Sequence, residues 1–182
     1  MQVPKKTVHR RKVIADTSSL VSLGTGNILE KALSVVEIYL PEEVKTELQS
    51  VAGFTDVHGQ AANEALRLIA QSKIIVLSVA SVVKVDEVCR QNKHIDKGEA
   101  ATILLAEQEG IDSILSDDFK ALPQMSKVTS KQIYLSVYVL ARLVAENLIK
   151  LEEAEICLNT IAAHRNWIGR AIFNHAKKLL GI

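Results

Sequence analysis

Lys12-Val13-Ile14-Ala15-Asp16-Thr17-Ser18 is the stretch whose reading decides the fold. Its apolar run ends on an acid followed by hydroxyls, the pattern of a short buried strand that delivers a carboxylate at its C-terminal end. A second run, Ile111-Asp112-Ser113-Ile114-Leu115-Ser116-Asp117-Asp118, ends the same way. Open parallel α/β sheets bind ligands outside the carboxyl ends of their strands, so both runs point to one edge of one sheet. Clustered carboxylates repel, and are tolerated mainly around a hard cation or when one is protonated.

Working outward, residues 12–16, 36–40, 74–79, 111–115 and 131–135 read as strands. Between them, Ser18 or Ser19 caps a short helix to residue 23, and Asn27 caps a second to about 33. Pro41 suits the first position of a third helix, with Glu42 and Glu43 in its positive first turn. A polar break at 53–59 precedes an amphipathic helix at 60–72, and a further helix is expected at 82–91. Asp96 opens a long helix to about 109, residues 117–122 start another that stops near Pro123, and Ser136 caps one to about 146. Strands alternating with helices predict a doubly wound parallel sheet. Residues 152–163 and 166–180 add two helices beyond it. The expected organisation is a basic lead at 1–11, an α/β domain at 12–146 and a helical extension at 147–182.

The 182 residues suit one domain with an appendage. Aromatics make up only 4%, so the core must come from Val, Ile, Leu and Ala, and base stacking is a poor candidate for the main grip on single-stranded nucleic acid. A net charge of +1 gives no global field for polyanions. The distribution is less even: Lys5, Lys6, His9, Arg10, Arg11 and Lys12 lead the chain, and His164, Arg165, Arg170, His175, Lys177 and Lys178 close it. Both sets are either solvated ends or phosphate contacts. Cys89 and Cys157 form no metal motif and fit a reducing interior as small buried hydrophobes. No apolar stretch approaches the roughly 20 residues of a membrane span, so a cytoplasmic protein with no membrane partner is expected. Trp167 is expected to anchor the terminal helices to the body.

Remote segments supply the candidate acids: Asp16, Glu47, Glu99, and Asp117 with Asp118. Asp16 either caps the next helix or ligates a metal; nearby hydroxyls are available for the cap, which favours the metal. Glu47 lies beside the Val44–Leu48 stripe, half-turned toward the core, and needs a lysine or a cation there. Asp96 and Glu99 have the spacing of a capping box, yet Glu99 shares a face with Ile103 and Ala106, and Gly98 permits close approach. One of Asp117 and Asp118 caps the following helix and the other faces the site. Such a set suits Mg²⁺, which takes few carboxylates and completes its shell with water and substrate phosphate. Paired ions clamp attacking and leaving oxygens in phosphoryl chemistry. Thr17 and Ser18 are placed to hydrogen-bond an acid or the scissile phosphate.

In this order, Val13-Ile14-Ala15-Asp16-Thr17-Ser18, Pro41-Glu42-Glu43-Val44-Lys45-Thr46-Glu47-Leu48, Asp96-Lys97-Gly98-Glu99-Ala100-Ala101 and Ile114-Leu115-Ser116-Asp117-Asp118 resemble the PIN-domain family over about residues 12–145. The resemblance implies a PIN-like, Rossmann-like sheet and Mg²⁺- or Mn²⁺-dependent cleavage of RNA. It carries the acidic metal positions onto Asp16, Glu47, Glu99 and Asp118, with Asp117 a possible substitute for Asp118, and the small hydroxyl position onto Ser18. Many relatives are VapC-like toxins, so a homodimer and an antitoxin protein are implied as partners. The basic lead and the two terminal helices depart from a minimal toxin-like domain.

The leading alternative is a catalytically weak PIN-fold RNA-binding or scaffold protein. A receiver-like or phosphatase-like protein using an aspartyl phosphate fits less well, since Ser18 stands at the second acidic position of a phosphatase signature. Phosphate-binding loops of the P-loop and dinucleotide types are missing. His58, His94, His164 and His175 lack zinc-binding spacing and are expected at the surface or at caps.

Overall fold

The computed structural model describes residues 9–182; Lys5 and Lys6 of the basic lead lie outside the described residues. Five strands form one all-parallel sheet in the order β3-β2-β1-β4-β5. They are β1 (Arg11–Ala15), β2 (Val36–Pro41), β3 (Ile75–Leu77), β4 (Ser113–Leu115) and β5 (Gln132–Tyr134). The chain winds outward from β1 in one direction to β3, then crosses back to β4 and β5. That reversal opens a crevice beyond the carboxyl ends of β1 and β4, where Ile14 pairs with Ile114 and Ala15 with Leu115.

Side chains on successive strand residues face opposite ways, and both faces of β1 are buried. Val13 and Ala15 join one core, with the first helix, α1 (Thr17–Thr25), and with α4 (Val57–Ala70), α8 (Val137–Ala145), α9 (Leu151–His164) and α10 (Ala171–Leu180). Ile14 joins the other, with Ile114, α5 (Val82–Gln91) and α6 (Lys97–Gln108). Each fully buried Ile or Leu removes enough apolar surface to contribute roughly 1.5–3 kcal/mol. The two short remaining helices are α2 (Leu29–Ala32) and α7 (Leu122–Val128), and α3 (Glu42–Val51) buries Val44 and Leu48 beside the sheet's carboxyl edge. Among the described residues, no helix is long and apolar enough to cross a membrane.

The terminal helices are part of the packed body. Ala154, Leu158 and Ile161 of α9 and Ile172 and Ala176 of α10 are buried. Trp167, 4% exposed, plugs the core between them, as expected of an anchor. Cys157 is buried and Cys89 partly so, each as a free thiol.

Several local expectations are corrected. Helix α1 starts at Thr17 under an Asp16 cap rather than a serine cap, and it continues through Gly24, where a Cβ would collide with Ala61 of α4. Asn27 does not cap α2; it takes the left-handed conformation (φ 53°), and the backbone of Ile28 precedes the helix. Pro41 closes β2 instead of opening α3. Helix α4 starts at Val57, capped by Asp56, because that carboxylate accepts the Gly59 amide; the expected polar break is shorter. Residues 117–121 do not form a helix. Pro123 sits in the first turn of α7, where its missing N–H costs nothing. Residues 166–170 form a turn, with Asn166 and Gly169 at positive φ, so the last helix starts later than its sequence suggests.

Candidate functional site

Strand β1 ends on Asp16, whose extended backbone turns directly into α1. Asp16 Oδ1 accepts the Ser19 amide at 2.8 Å, so the side chain is a helix cap. Ser18 Oγ also donates to it, at 2.8 Å to Oδ1 and 2.9 Å to Oδ2. The same Ser18 oxygen accepts the Asp117 amide at 2.8 Å. One hydroxyl thus ties the ends of β1 and β4 together and holds the Asp16 carboxylate in place.

Asp117 and Asp118 then diverge. Asp117 turns inward: Oδ1 accepts the Ser136 amide at 2.8 Å, and buried Oδ2 has no partner among the described residues. Asp118 turns outward and caps its own turn, with Oδ1 accepting the Lys120 and Ala121 amides at 2.8 and 3.1 Å. Asp117 is absent from the wall of the cavity that Asp118 lines.

The remaining acids arrive on helices. Asp96 and Glu99 form the expected capping box at the start of α6: Asp96 Oδ1 accepts the Glu99 amide at 2.8 Å, and Glu99 Oε2 accepts the Asp96 amide at 2.9 Å. Glu47 reaches across from α3. Its Oε2 accepts from Thr17 Oγ1, and its carboxylate lies against Gly98, where any Cβ would strike it. The close approach that Gly98 permits is therefore made by Glu47 itself.

Asp16, Thr17, Ser18, Glu47, Glu99 and Asp118 line one cavity of about 250 Å³ at the crevice. Asp96, His58 and Arg165 line it too. The sequence marks Asp96 only as a cap, His58 as a surface or capping histidine, and Arg165 as part of a terminal basic segment. The recognisable signal for His58 was Asp56 three residues before Gly59, which starts α4 early and puts His58 in its first turn. His58 Nδ1 lies 3.5 Å from Asp56 Oδ2, and its Nε2 is buried without a partner among the described residues. Nothing local marks Arg165, the residue that ends α9. His9, Arg10, Arg11 and Lys12 stand at the opposite edge of the sheet, where Arg10 pairs with Glu37 and Arg11 with Tyr134.

Burial and mutual repulsion shape the acids. Burial pushes the Asp16 carboxyl up to about 6, against hydrogen bonds from Ser116, Ser19 and Ser18 and with the Asp117 charge adding to the rise. Burial likewise pushes Glu99 up to about 8, with Asp96, Asp118 and Asp16 contributing like charge. Glu47 and Asp117 are also raised, each chiefly by burial.

Among the described residues, no three His, Cys, Asp or Glu side chains gather closely enough to hold an ion as they stand. The donor chemistry nonetheless fits a hard divalent cation. The acids offer oxygen only, they destabilise one another's charge, and neither Glu99 Oε1 nor Asp118 Oδ2 takes a hydrogen bond among the described residues.

A family model described as "DUF3368: PIN domain" matches residues 12–181, and so extends through both terminal helices. No curated protein and no solved structure gives a match.

Proposed function

The chain belongs to the PIN-domain family, a family of nucleases in general, and we propose that it is a metal-dependent ribonuclease working at the Asp16 cavity. The observation that carries this reading is the convergence of Asp16, Glu47, Glu99 and Asp118, remote in sequence, on one cavity at the topological switch point. Their mutual repulsion, most evident at Glu99, is what a bound cation relieves.

In this account Asp16, Glu99 and Asp118 hold Mg²⁺ or Mn²⁺, with Glu47 completing the acidic wall. The ion, when bound, lowers the pKa of an attacking water and neutralises charge on the phosphoryl oxygens. The protein's own part is positioning. Ser18 fixes Asp16 through its paired contacts, and Thr17 fixes Glu47. Thr17 and Ser18 line the cavity, and each spends its one hydroxyl proton on a carboxylate, so they act on the substrate through the acids they hold. Asp117 is a positioning residue: by holding the Ser136 amide it aims the β4 end, and with it Asp118.

The toxin-like role, with an antitoxin protein as inhibitor and a second copy of the chain as partner, belongs to the same reading, as does a cytoplasmic location. A second reading, weak catalysis with RNA binding retained, is favoured by one feature: Glu99 Oε2 is engaged in its own capping box. Cleavage of an RNA oligonucleotide in Mn²⁺ by the wild type and by Asp16→Asn separates the two. The nuclease reading expects loss of cleavage in the variant, with RNA binding retained. Equal cleavage by both proteins contradicts it.

A further inference from the structure

The cavity wall carries a guanidinium that the fold leaves unused. Arg10, Arg11, Arg67, Arg90 and Arg142 each donate from the side chain to a protein acceptor. Arg165 lines the acidic cavity, yet its guanidinium makes no hydrogen bond or ion pair among the described residues. Its charge favours ionised Asp117. This half-buried arginine shares one cavity wall with Asp16, Glu47, Glu99 and Asp118 and pairs with none of them.

The backbone that carries it is held in place. Arg165 ends α9, with its amide bonded to the Ile161 carbonyl at 2.8 Å. Ile161 is fully buried, in contact range of the Gly26 backbone beyond α1. Two residues on, buried Trp167 returns its amide to the Ala162 carbonyl at 2.9 Å. The turn is therefore pinned on both sides of Arg165. His58 Nε2, buried and without a partner, belongs to the same wall.

Resting on the nuclease reading above, we propose that Arg165 is a substrate-binding residue that grips a phosphodiester of single-stranded RNA across the cavity from the acids, so that the terminal helices complete the site. A planar guanidinium matches two phosphate oxygens and stays charged at any working pH. A phosphate bound there would lie between Arg165 and the acids that would hold the ion. Arg165 thereby offsets the repulsion that an acidic cavity exerts on a polyanion.

The test compares wild type, Arg165→Ala and Arg165→Lys. Binding of a labelled single-stranded RNA oligonucleotide is measured by anisotropy in Ca²⁺ over a range of salt, and cleavage is measured separately in Mn²⁺. Arg165→Ala is expected to bind roughly tenfold more weakly or worse, and its plot of log affinity against log salt is expected to flatten by about 0.7, the loss of one phosphate contact to a single strand. Arg165→Lys restores the slope but not the full affinity, because it keeps the charge and loses the fork. In Mn²⁺ the KM rises more than kcat falls. An unchanged slope and affinity in Arg165→Ala, with wild type binding and cleaving, overturns the role of Arg165 and leaves the nuclease reading standing. A wild type that neither binds nor cleaves overturns both. Unaltered thermal melting of the variants excludes a folding defect.

Discussion

The Glu47 carboxylate lies directly against the Gly98 backbone, so that a side chain at 98 and the observed position of Glu47 exclude each other. Helix α3 thereby delivers its acid to the first turn of α6, beside Glu99. Gly98→Ala ordinarily stabilises a helix, by up to about 1 kcal/mol. Here the added methyl displaces a flexible carboxylate end rather than backbone. Stability is expected to hold or rise slightly while cleavage falls by roughly 10- to 100-fold from the misplaced acid. Parallel thermal melts and cleavage assays check both signs.

The raised acids give the metal-free protein a distinctive pH dependence. Asp16 moves from 3.8 to about 6 and Glu99 from 4.5 to about 8 on folding. Between those values the native state holds protons that the unfolded chain has released, so stability is greatest at low pH and falls as pH rises. In EDTA, Tm is expected to decline between pH 5 and 8, with the upper part of the decline removed in Glu99→Gln. Mn²⁺, which binds the folded state with its carboxylates ionised, is expected to raise Tm most at the alkaline end. A Tm that is flat or rising with pH in EDTA contradicts this.

The neighbours Asp117 and Asp118 should separate cleanly. Asp117→Ala strands the buried Ser136 amide that Oδ1 now accepts, at a cost of about 1–3 kcal/mol. Asp117→Asn keeps an acceptor there and is expected to retain most stability and activity. Asp118→Asn keeps the cap but loses the charge facing the cavity, so it should melt like wild type and cleave poorly. Denaturant unfolding together with cleavage assays distinguishes all three.

Trp167→Ala removes a buried indole from the junction of α9 and α10. The expected cost is about 3–5 kcal/mol, which for a chain of this size lowers Tm by roughly 10 °C. RNA affinity should fall with it, since the same turn carries Arg165. Trp167→Phe should recover most of both.

How much of this was legible depended on whether the signal was local. The Asp16 run, the Asp96–Glu99 capping box and the strand ending at Leu115 are written in consecutive residues, and the structure has the two strands in the expected parallel sheet and the box at the start of α6. The 3-2-1-4-5 order that sets β1 beside β4 is written in no single segment. Pro123 was misread because proline both stops a helix and suits its first turn, and only the coil at 117–121 decides which. Asp117 and Asp118 were interchangeable until the Ser136 amide took one of them. Arg165 carries no local mark, and His58 only the Asp56 cap before it: they reach the cavity because α9 and α4 pack against α1.

The most direct measurement is the anomalous scattering of a crystal soaked in Mn²⁺. A peak is expected in the cavity with oxygens of Asp16, Glu99 and Asp118 about 2.1 Å away, the distance of a small hard cation. A crystal with that cavity open to solvent and no peak in it, or a peak held by other residues, would contradict the claim that these acids share an ion.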